Sequence, residues 1–218
     1  AMKRYLIALA AAVLTCTACG GGASDSKTVL FNGESLEGWK AVIEDNSYDV
    51  GKVFSISAEM TLAVAGVPNG YIRTEATYSN YRLHVEYRYP EILGNSGVFV
   101  HMQQGDNVWP VCLENQLQAT NAGDYILMNG FATAEADPEQ VAAKVQFNKV
   151  QKFENSSEFK LGEWNTMEVV CLEDTIETYV NGVLQNKGTN LTYSSGYICL
   201  QSEGSPIEFR NVWIEKIK

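Results

Sequence analysis

An all-β sandwich or barrel is the fold class this sequence predicts, on three observations. Short apolar runs alternate with polar residues at a period of two through the second half of the chain. Turn signals separate those runs, the strongest being Asn181-Gly182. The composition leans the same way, with 18 Gly, 11 Tyr and 8 Phe in 218 residues and little Ala beyond the N-terminus. Nothing recurs at a fixed spacing, which argues against a propeller.

Arg82 to Tyr89 is the cleanest strand. Leu83, Val85, Tyr87 and Tyr89 share one face, and Arg82, His84, Glu86 and Arg88 share the other. Val98, Val100 and Met102 alternate with Phe99 and His101. From Val111 to Gln118, Cys112, Glu114, Gln116 and Gln118 fall in one phase, while Val111, Leu113 and Leu117 take the other and Asn115 is the exception. One helix is predicted, in the polar connection from about Asn129 to Lys160. There Asp137 is the cap, Pro138 opens the first turn, and Val141 to Val145 follow. Thr166 to Leu172 is apolar on both faces, as in a strand covered on both sides. Thr175 to Val180, the Asn-Gly turn and Val183-Leu184 make a hairpin. Gly196 to Gln201 and Ile207 to Ile217 complete the set, with a one-residue slip of apolar phase near Asn211 that predicts a bulge.

The N-terminus reads as an address. Lys3 and Arg4 precede the apolar run Tyr5 to Thr15, which is shorter than the roughly 20 residues a spanning helix needs. Cys16-Thr17-Ala18-Cys19 followed by glycines has the C-x-x-C spacing of redox motifs but lacks the helix that lowers a thiol pKa. The better reading is a lipoprotein leader over residues 1–18, lipidation at Cys19, a flexible tether over 19–27 and one sandwich domain over 28–218. That implies a lipid-anchored domain in the periplasm or cell envelope, touching the membrane only through its anchor. Loss of Lys3 and Arg4 takes the formal charge from −10 to −12. Such a balance excludes a nucleic-acid groove, which needs a basic stripe. Cys112, Cys171 and Cys199 each sit between apolar neighbours and read as buried thiols.

The chemistry is narrowed by exclusion. The chain has no G-x-S-x-G elbow, no phosphate-binding glycine loop and no H-E-x-x-H. No cysteine pair has zinc-ligand spacing, and no D-x-D-x-D loop calls for calcium. No metal or cofactor is expected. What stands out is Val108 to Asp124. Glu114 and Gln116 project from one strand face roughly 6–7 Å apart, joining a proton-transfer group to a carboxamide able to hold a sugar hydroxyl, with Trp109 nearby as a stacking surface. An exposed polar strand face is the plainer reading of the same pattern.

Six segments in order, LFNGESLEGW (Leu30–Trp39), NSGVFVH (Asn95–His101), WPVCLENQL (Trp109–Leu117), GEWNTMEVV (Gly162–Val170), YVNGVLQNK (Tyr179–Lys187) and GYICLQSEGSPIEFRNVWI (Gly196–Ile214), resemble the 3-keto-disaccharide hydrolase family. The resemblance implies a concanavalin A-like jelly-roll sandwich of two antiparallel sheets with a sugar-binding concave face. It implies an oligosaccharide or glycoside substrate already oxidised at C3, cleaved by C2 proton abstraction and elimination at C1. Glu114 occupies the acidic position of the family's E-x-Q element. Residue chemistry adds His101 and Glu203 as further proton-transfer candidates. Asn95, Gln116 and Gln201 are expected to donate hydrogen bonds to sugar or oxyanion. Trp109 is expected as a platform and Asp124 as a further substrate contact. Two alternatives stand beside this one. A conventional glucanase on the same fold would carry E-x-D-x-x-E, where this chain has an amide at Gln116. A non-catalytic carbohydrate-binding lipoprotein would need only the aromatic and amide groups.

Overall fold

The computed structural model describes residues 27–217. The expected leader, Cys19 and all of the tether but Lys27 lie outside the described residues. In chain order the elements are β1 (Lys27–Phe31), β2 (Trp39–Ile43), the one-turn α1 (Val50–Val53), β3 (Phe54–Ile56), β4 (Leu62–Val64), β5 (Gly70–Thr74), β6 (Tyr81–Arg88), β7 (Gly97–Met102), β8 (Cys112–Gln116) and β9 (Tyr125–Met128). They continue with α2 (Pro138–Ala142), β10 (Phe147–Val150), β11 (Asn165–Leu172), β12 (Thr175–Val180), β13 (Val183–Gly188), β14 (Tyr197–Ser202) and β15 (Ile207–Lys216).

Two antiparallel sheets form the sandwich. One runs β13-β12-β11-β6-β15-β4-β3, with β1 also paired to β15; the other runs β10-β9-β8-β7-β14-β5-β2. The core lies between them, where Leu83, Val85 and Tyr87 of β6 and Met167 and Val169 of β11 meet Val98, Val100, Leu113, Ile198 and Leu200 of the second sheet. The jelly-roll sandwich implied by the resemblance is the observed architecture.

Local signals explain several elements. Asn181 and Gly182 have φ of 50° and 79°, the left-handed pair that a tight hairpin requires, and Val180 pairs with Val183 across the turn. The slip at Asn211 is a bulge: Arg210 faces Glu86 while Trp213 faces His84, so three steps on β15 match two on β6. Asp137 caps α2 by accepting a hydrogen bond from the Glu139 N–H, and Pro138 opens its first turn.

Other expectations are revised. β11 is buried on one face only, because Thr166, Glu168 and Val170 point outward beside the charged residues of β6. On that outer face Arg82 approaches Glu168, Arg210 pairs with Glu86 at 2.6 Å, and His84 stacks on Trp213 with ring centroids 4.7 Å apart. Asn115 faces inward. Its Nδ2 donates to the Val98 carbonyl at 3.1 Å, its Oδ1 accepts from the Thr178 hydroxyl, and Thr178 Oγ1 accepts from the Tyr125 hydroxyl. An amide on the core side of β8 is therefore satisfied by a relay across the sandwich.

The outer face of the second sheet is partly apolar. Val42, Tyr71, Phe99, Met102, Cys112, Met128 and Cys199 form a second buried cluster there. The connection from β7 to β8 lies against it: Tyr71 Oη donates to the Asn107 carbonyl at 3.0 Å, Lys40 pairs with Asp106 at 2.8 Å, and Trp109 packs against the cluster. Cys112, Cys171 and Cys199 are buried and free of disulfides.

Candidate functional site

Beside that covered cluster the same face opens into a pocket of about 370 Å³ lined by Asn95, Trp109, Glu114, Gln116, Ile126, Phe147 and Glu203. Strand register places these groups. Glu114 on β8 stands between Phe99 on β7 and Ile126 on β9, while Gln116 stands beside Gly97. The side-chain period of two puts Glu114 and Gln116 on one face, as the sequence pattern predicted. Asn95 and Glu203 meet where the segments before β7 and after β14 bridge.

One wall is apolar and the other polar. Trp109 and Phe147 pack edge to face, with ring centroids 5.5 Å apart and planes at 86°, and Ile126 lies on the same side. Facing them, Glu114 is 3% exposed and its Oε1 has no hydrogen-bond partner. Burial pushes the Glu114 carboxyl well above its usual pKa, and the Glu203 carboxyl adds to the shift. Burial also raises Glu203, opposed by a hydrogen bond from the Gln201 amide that favours the ionised form. Asn95 Oδ1 and Gln201 Oε1 are likewise buried without partners. Gln116 Oε1 accepts from the N–H groups of Leu117 and Gln118, both at 2.9 Å, which fixes the amide orientation and leaves its NH2 as the free donor. Unpartnered polar atoms beside an aromatic wall match the mixed surface of a sugar, with hydroxyls at its edge and C–H groups on its face.

Five of the eight candidate residues, Asn95, Trp109, Glu114, Gln116 and Glu203, thus meet in one pocket. Gln201, on β14 two residues before Glu203, is 1% exposed and is not among the lining residues. Asp124 and His101 do not line it. Asp124 is 1% exposed, accepts from the Lys152 N–H at 2.8 Å and is paired with Lys149, so it ties the β9–β10 edge together. His101 is a bulge residue with φ of 50°: Met102 pairs with Tyr197 while Phe99 pairs with Cys199. The bulge turns its ring against Tyr81, with Nδ1 2.9 Å from the Tyr193 carbonyl. Expected as a proton-transfer group, His101 is instead a hydrogen-bonded part of the interior.

Ile126 and Phe147 escaped the sequence reading. Phe147 begins a four-residue edge strand inside a polar connection, too short to show a period. Among the described residues, no group of three or more His, Cys, Asp or Glu side chains is arranged to hold a metal ion.

The fold is shared with known structures. Two candidate glycosyl hydrolases from Parabacteroides distasonis ATCC 8503 are similar. The first is 21% identical with a TM-score of 0.63, covering 88% of this chain and 94% of that one. The second is 19% identical with a TM-score of 0.62, covering 88% and 99%. The carbohydrate-binding module CBM66 from Bacillus subtilis is 10% identical with a TM-score of 0.58, over 82% and 96%. At such identities these likenesses speak for the fold alone. No curated protein matches the chain in sequence. The 3-keto-alpha-glucoside-1,2-lyase-like domain, by contrast, matches as a family over residues 26–215, the span of both sheets and of every pocket residue, and the chain belongs to that family.

Proposed function

We propose that the pocket cleaves glycosides whose sugar carries a ketone at C3, with Glu203 as base and Glu114 as acid. The observation that carries the reading is the pairing of two carboxyls in unlike surroundings within one pocket, one sealed and with its Oε1 unpartnered, the other only half-buried. Pairs of carboxyls whose environments separate their proton affinities are how one site runs acid and base steps together.

The C3 ketone acidifies the proton on C2. The Glu203 carboxylate takes that proton, and the charge moves onto the C3 oxygen, where the Gln116 NH2 is the available donor. The C1–O bond then breaks with its electron pair going to the glycosidic oxygen, which receives the Glu114 proton. The products are the free alcohol and a 1,2-unsaturated 3-keto sugar. Water completes hydrolysis by adding across the double bond: the Glu114 carboxylate removes a proton from the water, Glu203 returns one to C2, and both carboxyls are reset. Trp109 and Phe147 offer the apolar surface on which the sugar's C–H face lies.

Incubation with a 3-keto-glucoside, the unoxidised glucoside and buffer, following aglycone release, tests this. Release from the keto sugar alone supports the reading. Release from both indicates a conventional glucanase, and binding without release indicates a carbohydrate-binding module. For the leader we propose lipidation at Cys19 and a periplasm-facing anchor. Incorporation of labelled palmitate that survives in Cys19→Ala would refute it.

A further inference from the structure

Gly97 stands where no backbone feature calls for glycine. Its φ is not in the left-handed region, unlike that of Gly66, Gly123 or Gly182. The three heavy atoms nearest to a Cβ built on it all belong to the Glu114 side chain, with Cδ and Cγ both 2.8 Å away and Oε1 closer still. At Gly66 and Gly196 the atoms met are main chain, so a side chain there would press on the fold itself. At Gly97 it would press first on the flexible end of one carboxylic acid.

The register shows why the carboxyl lies there. Phe99 and Ile126 flank Glu114 on the neighbouring strands, and the covered apolar cluster that includes Phe99 and Cys112 closes the space beside it. The gap over Gly97, one position along the same face, is the space left on the sheet surface. Lying there, the carboxyl is 3% exposed and Oε1 has no partner. The titratable groups acting with it are Glu203 from the segment after β14, Cys112 on its own strand and Tyr89 beyond β6, none of them a cation.

We infer that Gly97 is a positioning residue: its missing side chain is the berth that holds the Glu114 carboxyl down on the sheet, out of water, as the proton donor of the pair. The inference rests on the reading of Glu114 as the acid, although the berth itself is testable without substrate.

The experiment is Gly97→Ala in protein labelled with 13C at the glutamate side-chain carboxyl, the Glu114 resonance being assigned by its loss in Glu114→Gln. In the parent protein Glu114 titrates well above the ordinary glutamate range. In Gly97→Ala the carboxyl is expelled toward solvent, its titration falls toward that range, and the melting temperature holds. kcat drops about 10- to 100-fold as the alkaline limb of its pH profile moves to lower pH, with KM little changed. In Gly97→Ala with Glu114→Asp the shorter acid fits beside the new methyl, and part of the upward titration returns. An unshifted Glu114 titration in Gly97→Ala overturns the berth whatever the activity. So does failure of that variant to fold, which would mean that the backbone required glycine. A shifted titration together with full activity of Glu114→Gln upholds the berth and removes Glu114 from the reaction.

Discussion

Replacing His101 by Asn separates structural burial from catalysis by the pH dependence of stability. The His101 Nδ1 lies 2.9 Å from the Tyr193 carbonyl, which can only accept, so Nδ1 carries the hydrogen. Nε2 is buried with no partner. A proton added there would be an N–H without an acceptor, and burial accordingly lowers the pKa from 6.5 to about 4. In the unfolded chain the ring takes its proton near the ordinary value. Between the two pKa values the unfolded state therefore binds more protons, and stability falls as pH is lowered from about 6.5 to about 4. Below that both states are protonated and the loss is complete. At about 1.4 kcal/mol per pKa unit, the shift from 6.5 to about 4 corresponds to roughly 3 kcal/mol. For a domain of this size that is roughly 6–12 °C in melting temperature. Asn tolerates the left-handed φ and can keep the bond to Tyr193 but has no proton to gain. Urea unfolding of both proteins at pH 7.5, 6.5, 5.5, 4.5 and 4 measures the difference, in which contributions from the carboxylates cancel. His101→Asn is less stable at neutral pH through the lost ring contact with Tyr81, and the gap to the parent narrows by roughly 3 kcal/mol toward pH 4. A gap that does not change with pH refutes the buried neutral imidazole.

Glu114→Gln removes the acid while keeping the shape of the side chain. kcat on a 3-keto-glucoside falls by roughly 10²–10⁴ with substrate binding retained, as steady-state kinetics beside calorimetric binding would show. Trp109→Ala deletes half of the aromatic wall and exposes the edge of Phe147. KM rises about tenfold, equivalent to about 1.4 kcal/mol, while the kcat pH profile keeps its shape. Thr178→Val leaves Asn115 Oδ1 and the Tyr125 hydroxyl without their shared partner. Chemical denaturation reads a loss of about 1–3 kcal/mol with no change in the pocket. Gly182→Ala forces a side chain into φ of 79° and lowers stability by roughly 1–2 kcal/mol, again without effect on kcat.

Legibility in the sequence followed the range of the interactions. The Asn181-Gly182 turn, the Asp137 cap and the bulge at Asn211 are written in two to five residues, and each stands where those residues put it. The shared face of Glu114 and Gln116 needs only a period of two, and the two residues line one pocket. His101 shows where this fails. Alternation groups it with Phe99, but the bulge before Met102 turns the ring inward, and because both faces of β7 are fully buried no polar residue marks the change of phase. Val170 fails for the opposite reason: an apolar residue on an outward face looks like burial until Glu168 and Arg82 are seen beside it. The apolar wall at Ile126 and Phe147 depends on β9 and β10, four residues each, whose pairing is a property of the sheet and not of either segment. The loop over Tyr71 and Cys199 is similarly invisible, since its contacts join residues more than thirty positions apart.

That loop bears directly on the chemistry. A carboxyl on an open sheet would be solvated and ionised at neutral pH, and of no use as an acid. Here the β7–β8 connection closes over the cluster of Tyr71, Phe99, Cys112 and Cys199 on one flank of Glu114, and Ile126 stands opposite it on β9 on the other. The carboxyl is thereby given one direction, over Gly97, and one charged neighbour, Glu203. Two carboxyls coupled in this way oppose simultaneous ionisation, so proton loss from one strengthens the hold of the other on its proton. The coupling also bears on what can enter. With no Lys or Arg among the lining residues and a formal charge of −10 on the whole chain, an anionic sugar meets repulsion both on approach and at the site. A neutral keto-glycoside, the substrate of the proposed reading, meets neither.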